Sequence, residues 1–231
     1  MPQDEIRFSR AGLRAGALKV MPLAGAAVPF GIIYGYLAGQ KGLSLLEVVL
    51  MSLTVFAGAA QLLAVELWGQ PAPIGLLVAS VLILNIRHVL MGTTLLPWFG
   101  RISARRAYGS VFFMTDETWG ASIADMRAGG RDAAFLLGAG LCLYFWWALG
   151  GALGRLFGDR LPPLADYGLD FLTTAFFVAL LAGLWRGRAD LLPWLVSADV
   201  AIAMARYTSG TWYILGGALA GSLAGALRRA D

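Results

Sequence analysis

Long apolar runs alternate along this chain with short polar or basic connections. Residues 20–40, 48–65, 67–86, 133–154 and 207–227 contain no charged side chain. About 18–20 such residues suffice to cross a hydrocarbon core as a helix. The pattern predicts helices over 17–39, 44–68, 72–99, 107–126, 133–154, 166–185, 191–205 and 209–227. The polar residues Asn85, Arg87 and His88 divide 72–99 into two pieces of a dozen residues or so. The expected fold is therefore an all-α polytopic membrane protein with about seven transmembrane or membrane-embedded helices.

Small residues recur four apart along several of these helices, as at Gly31, Gly35 and Gly39, at Gly150, Gly154 and Gly158, and at Gly217, Gly221 and Gly225. Such ladders let helices approach closely where lipid provides no hydrophobic drive between them. They read as packing faces, one of them available to a partner subunit. An offset of 119 residues carries the first ladder onto the second and Arg87 onto Arg206. The expected organisation is a cytoplasmic segment 1–16, one transmembrane domain 17–227 and a tail 228–231. Within that domain, repeat halves 17–106 and 132–227 are joined by 107–131. Halves with an odd number of crossings would be inverted, as in many secondary transporters.

Charge complicates the topology. Arg7, Arg10, Arg14 and Lys19 precede an apolar run longer than a signal core, so the start reads as cytoplasmic and uncleaved. A full crossing by 72–99 would then put Arg101, Arg105 and Arg106 outside, against the positive-inside rule. Two solutions stand: a hairpin of 72–86 and 89–99 that enters and leaves on one side, or a single kinked helix.

Composition narrows the function. The chain is 58% hydrophobic and 14% charged, with mean hydropathy +0.70, which leaves no room for a soluble catalytic domain. The pI of 9.5 comes from arginines in short loops and not from a nucleic-acid face, so the expected surroundings are the lipid bilayer without nucleic acid. One histidine and the single Cys142 cannot form a His/Cys metal site, and no nucleophile-elbow motif occurs. Neither enzyme activity nor a cofactor is expected.

The chemistry lies in the few polar residues inside apolar runs. A guanidinium keeps its proton at any useful pH and is expensive in hydrocarbon, so Arg87 and Arg206 require a partner, water or substrate. Gln61, Asn85, Arg87 and Arg206 are the candidate substrate contacts, since a carboxylate suits a guanidinium fork or a helix amino end. Gln61 reads equally as an interhelical hydrogen bond. His88, Asp116, Glu117 and Asp199 are the candidate proton carriers. His88 also suits capping of a helix break. Asp116 or Glu117 could bind an ammonium group or pair with Arg87 or Arg206, and the two carboxylates point about 100° apart on a helix. Asp199 and Arg206, two turns apart, read as a buried ion pair or a second half of the site. Trp146, Trp147, Trp194 and Trp212 read as interfacial anchors or packing.

The segments Phe56-Ala57-Gly58-Ala59-Ala60-Gln61, Asn85-Ile86-Arg87-His88 with Gly92, Thr115-Asp116-Glu117 and Gly168-Leu169-Asp170-Phe171 resemble the AzlC family in order and spacing. Leu62 stands where many members have an aromatic. The resemblance covers about 16–225 and implies the large subunit of a bacterial branched-chain amino-acid exporter. It implies a small hydrophobic AzlD-type partner subunit in the inner membrane. It also implies outward movement of valine, leucine, isoleucine or methionine against protons. The competing reading is a passive channel for a small polar solute, which needs no coupling carboxylate.

Overall fold

The structure, a computed structural model, describes residues 5–69, 71–160, 174–175, 178, 181–182, 185, 187–207 and 212–228. The described residues are helical throughout, apart from short connections and one bridge between Arg7 and Asp132. The helix expected over 166–185 and the Gly168-Leu169-Asp170-Phe171 segment lie mostly or wholly outside them. The chain forms two compact units, the first from Met1–Gln61 and Leu84–Pro162, the second from Leu62–Ile83 and Pro163–Asp231.

Two long helices, α1 (Arg10–Gln40) and α9 (Ala134–Phe157), form the axis of the first unit. Each is long and apolar enough to cross a membrane. Ser9 caps α1, accepting from the Gly12 N–H, and begins the helix seven residues before the apolar run suggests. The two helices run parallel: Gly12 lies against Asp132, Gly31 against Gly150 and Gly39 against Arg155. Contact is so close that a methyl at Gly35 would strike the Gly151 carbonyl, and one at Gly154 the Ile32 carbonyl. Only glycine permits that approach. At the starting end, Asp132 ties both helices together. Its carboxylate accepts from the Ser9 N–H at 3.1 Å, from the Ser9 hydroxyl, and from the Ala134 N–H at 3.1 Å. Arg7 N–H donates to Arg131 and Ala133 N–H donates to Arg7, which completes the clasp.

Shorter helices follow, of which residues 62–83 belong to the second unit. The helix α2 (Leu45–Thr54) starts with a capping box between Ser44 and Glu47, and Val55 to Ala57 separates it from α3 (Gly58–Glu66). Next come α4 (Ile74–Asn85), α5 (Arg87–Thr94) and α6 (Leu96–Phe99). The last pair is α7 (Ala104–Phe112) and α8 (Asp116–Arg127), parted at Phe113 to Thr115.

The chain does not reverse at the polar cluster. Ile86 keeps right-handed helical angles (φ −58°, ψ −27°), Val89 N–H bonds the Ile86 carbonyl at 3.1 Å, and Ile74–Thr94 counts as one apolar span of 21 residues. The local backbone at Ile86 is that of a helical turn and not of a hairpin reversal. Sharp reversals fall elsewhere. Phe56 has φ +41°, and Gln61 of α3 reaches back to bond Ser52 of α2. Residues nine apart in a continuous helix would be separated by about 13 Å along the axis. The α7–α8 arm begins with Arg106 over the Phe8 ring at 5.2 Å and ends with the Gly130 carbonyl accepting from Trp98 Nε1 at 3.2 Å. Both ends of the arm thus lie with the chain's start, and its tip at Phe113 lies against Gly140 and Tyr144 of α9. This also places Arg106 at the same end as Arg7 and Arg10, which removes the charge conflict.

In the second unit α10 (Leu191–Tyr207) packs on α11 (Trp212–Arg228). Methyls at Gly217 and Gly221 would come within 2.8 Å of Ser197 atoms. All three predicted ladders are therefore at least partly used inside the chain. Because α1 and α9 are parallel, a repeat relating them is not inverted. An even number of crossings separates the two helix starts.

The packing makes opposite forecasts for two glycines. Gly154→Ala should destabilise by about 1–3 kcal/mol, because an added methyl meets backbone. Gly92→Ala, which meets open space within 4 Å, should be neutral or stabilising by up to about 1 kcal/mol. Thermal melts of the two variants in one detergent check the sign difference.

Candidate functional site

Two helix interruptions, at 55–57 and 113–115, converge on α9. Hydrocarbon leaves no water for the backbone groups freed at a break, so protein must supply their partners. Tyr144 does this for α2, its hydroxyl donating to the Leu53 carbonyl at 2.9 Å. Its ring is met edge-on by Phe56 at 4.9 Å and by Phe113 at 5.0 Å, so the breaks at 55–57 and 113–115 touch the same side chain. A Cβ at Gly140 would collide with the Phe113 carbonyl, which is why the arm tip seats there. Tyr144 is ten residues into α9, or about 15 Å along it, close to mid-depth of a bilayer core.

At the tip, Thr115 caps α8 through its reciprocal bonds with Thr118, which places Asp116 and Glu117 in the first turn. Carboxylates are favoured there by the helix dipole. Asp116 Oδ2 lies 2.8 Å from Arg87 Nη2, with the two side chains 38% and 26% exposed. The pair joins the start of α8 to the start of α5. It is single-pronged: Arg87 Nε is buried and has no hydrogen-bond partner. Trp119 Nε1 donates to Thr94 Oγ1 at 2.8 Å, a second link between the same helices. Beside that link is a groove of 440 Å³ lined by Thr94, Trp119, Ile123, Met126 and Arg127, among others. None of the sequence-predicted site residues lines it.

The other predicted residues divide clearly. Asn85 ends α4, and its carbonyl pairs with His88 Nδ1 at 3.1 Å, so the imidazole closes the kink; a ring N–H facing a carbonyl sets the tautomer. Glu117 is exposed beside Asp116. Gln61 is fully buried, donates to Ser52 Oγ at 3.1 Å and accepts from Trp147 Nε1 at 2.9 Å. Trp147 in turn stacks on Tyr34 at 5.9 Å. Gln61 is therefore the centre of an interhelical network, and Trp147 is interior and not an interfacial anchor. Asp199 and Arg206 lie in the second unit, both exposed and not paired with each other. The buried pair expected for them does not form, since two turns separate them by about 10 Å along the axis.

Tyr144 and Ser52 are contributors that sequence reasoning does not single out, and Phe56 enters it only as part of the Phe56–Gln61 segment. A lone tyrosine hydroxyl in an apolar helix was the available signal for the first. No residue type signals the left-handed backbone of Phe56.

An all-α membrane protein with apposed helix interruptions and an ion pair between two of its helices belongs, as a class, with membrane transport proteins. Comparison with known sequences agrees. The family profile described as AzlC protein matches residues 22–161, and the chain belongs to the AzlC family, a family of transport proteins and not of enzymes. An "uncharacterized membrane protein" of Archaeoglobus fulgidus is 32% identical over 76% of the chain and 77% of its own length. The "branched-chain amino acid transport protein AzlC" of Bacillus subtilis is 25% identical over 91% of the chain and 82% of its own. The "inner membrane protein YgaZ" of Escherichia coli is 24% identical over 84% and 80%. No solved structure matches the chain.

The network around Gln61 makes a specific forecast. Gln61→Met strands the Trp147 N–H and the Ser52 hydroxyl, and the protein should lose about 1–3 kcal/mol of stability. A thermal melt identical to the parent's would show that these bonds do not hold α2, α3 and α9 together.

Proposed function

We propose that this chain is the large subunit of a proton-coupled secondary exporter. Its substrates are valine, leucine and isoleucine, with methionine as a further one, moved outward across a bacterial inner membrane. The observation that carries this reading is the Arg87–Asp116 pair at the meeting of two interrupted helices. It occurs in a chain aligned over 91% of its length with a relative named for branched-chain amino-acid transport. Arg87, beside Asn85, takes the substrate carboxylate, because a planar fork matches a carboxylate and stays charged throughout a cycle. Asp116, with Glu117 and His88 next to it, carries the proton. Gln61 enters this reading through packing. Arg206 and Asp199 are the second unit's own candidates for the same two roles. The chain's start faces the cytoplasm, together with the arginines that share its end of the first unit.

A small hydrophobic AzlD-type subunit completes the transporter. Co-expression of both subunits should lower intracellular valine or methionine after dipeptide loading, whereas this chain alone should not. Full activity of the chain reconstituted by itself would defeat the two-subunit reading. Flux that persists after the proton gradient collapses would favour a passive channel.

Arg87 separates clamp from structural strut. Arg87→Lys keeps the charge and loses the fork, so substrate affinity should fall by about 10- to 150-fold, or about 1.5–3 kcal/mol. Affinity and melting temperature are measured on the same purified complex. Unchanged affinity beside a large loss of stability would leave Arg87 as Asp116's structural partner only.

A further inference from the structure

We infer that the Arg87–Asp116 pair is the closed form of a zwitterion receptor: an amino acid inserts between the two, giving its carboxylate to Arg87 and its ammonium to Asp116. This inference rests on the amino-acid transport reading and concerns how that same site is regulated.

Three observations carry it. The contact uses one prong on each side, Nη2 to Oδ2 at 2.8 Å. Arg87 Nε, which shares an edge of the guanidinium with Nη2, is buried and unpartnered, so the edge that would grip a carboxylate at two points is half used. Both side chains are partly exposed, so the pair is reachable. The two groups also come from different helices: Arg87 follows the Ile86 turn of the 74–94 span, and Asp116 is in the first turn of α8, which starts at an interruption. Parting them requires no long helix to unwind.

Charge balance gives the pairing its function. Closed, the site is neutral. With a zwitterion inserted it is neutral again, and neither residue is left as an uncompensated ion in a poorly solvated place. A proton on Asp116 changes this, because a neutral carboxyl no longer holds an ammonium group. Proton and amino acid therefore bind alternately, which is the logic of antiport. The charged groups facing Asp116 are Arg87 and His88 from α5 and Glu117 beside it. From α9, residues 134–154 bring no charged side chain, and their titratable groups are Cys142 and Tyr144. Lys19 of α1 acts on Asp125, near the far end of α8, and Arg105 and Arg106 start α7 at the arm's base.

The inference separates leucine from isocaproate, its analogue without the amino group. In the wild-type complex, lowering the pH from neutral to mildly acidic should weaken leucine binding and strengthen isocaproate binding. Asp116→Asn should bind leucine about 10- to 150-fold more weakly, lose the opposed pH trends, and bind isocaproate better than wild type, since the internal competitor is gone. Asp116→Glu keeps the carboxylate and should retain pH-opposed binding. Calorimetry on the purified complex reads all of these, and the wild-type trends need no variant to fold. Parallel pH trends for the two ligands, or wild-type leucine affinity in Asp116→Asn, would overturn the inference while leaving amino-acid transport intact. A wild-type complex that transports a different solute and binds neither ligand would overturn the transport reading itself.

Discussion

Everything in the first unit depends on how closely α1 and α9 approach. Two parallel helices in lipid gain nothing from hydrophobic exclusion, so their association must come from packing and polar contact. Glycine at Gly35 and Gly154 brings backbone onto backbone, and Asp132 fixes the register by capping both helices at one end. That axis lets α9 act as a platform. Gly140, Tyr144 and Trp147 lie at successive depths along it and receive, in turn, the arm tip, both helix breaks and the Gln61 network.

The interruptions are tolerable only because that platform exists. Each break in a membrane helix frees backbone donors and acceptors that lipid cannot satisfy, at several kcal/mol apiece. Here a tyrosine hydroxyl, a threonine capping box and an imidazole supply the missing bonds at three separate breaks. Each is a short-range device placed by a long helix or by the break's own sequence. The result is a set of short helices, two of whose breaks meet on Tyr144 while the long helices remain intact.

Much of this is legible in the sequence, unevenly. Glycine ladders and charge-free runs state the helix-packing faces and the spans directly, because the membrane imposes one length and one packing chemistry. Arg87 and Asp116 stand out because charge in hydrocarbon needs a reason, and the AzlC resemblance picks out the stretches around Phe56, Arg87 and Asp116. The location of the reversal was not legible. Asn85, Arg87 and His88 are polar and look like a break in a hydrophobic run, yet a helix tolerates them when His88 bonds back to Asn85 and Arg87 finds Asp116. Val55, Phe56 and Ala57 look like ordinary helix interior, and only tertiary contact with Tyr144 and Gly58 against Trp147 holds Phe56 in a left-handed conformation. Nor can spacing alone say whether two acids and two arginines pair within or between helices, and Asp199 with Arg206 shows the limit of that reasoning.

Stability is a poor explanation for the Arg87–Asp116 pair. Desolvating two charges offsets most of what their attraction returns, and apolar replacements of such pairs are often neutral or stabilising. A structural pair would be expected to use the full guanidinium edge and to be sealed from solvent. This one contacts through a single prong, leaves a buried N–H idle and stays partly exposed. Its position also matters, since it ties α8, which begins at an interruption, to the polar turn in the middle of the 74–94 span. Strained backbone at Phe56 and an unsatisfied donor at Arg87 are departures from local optimality, and such departures are expected where a protein must change partners during its working cycle.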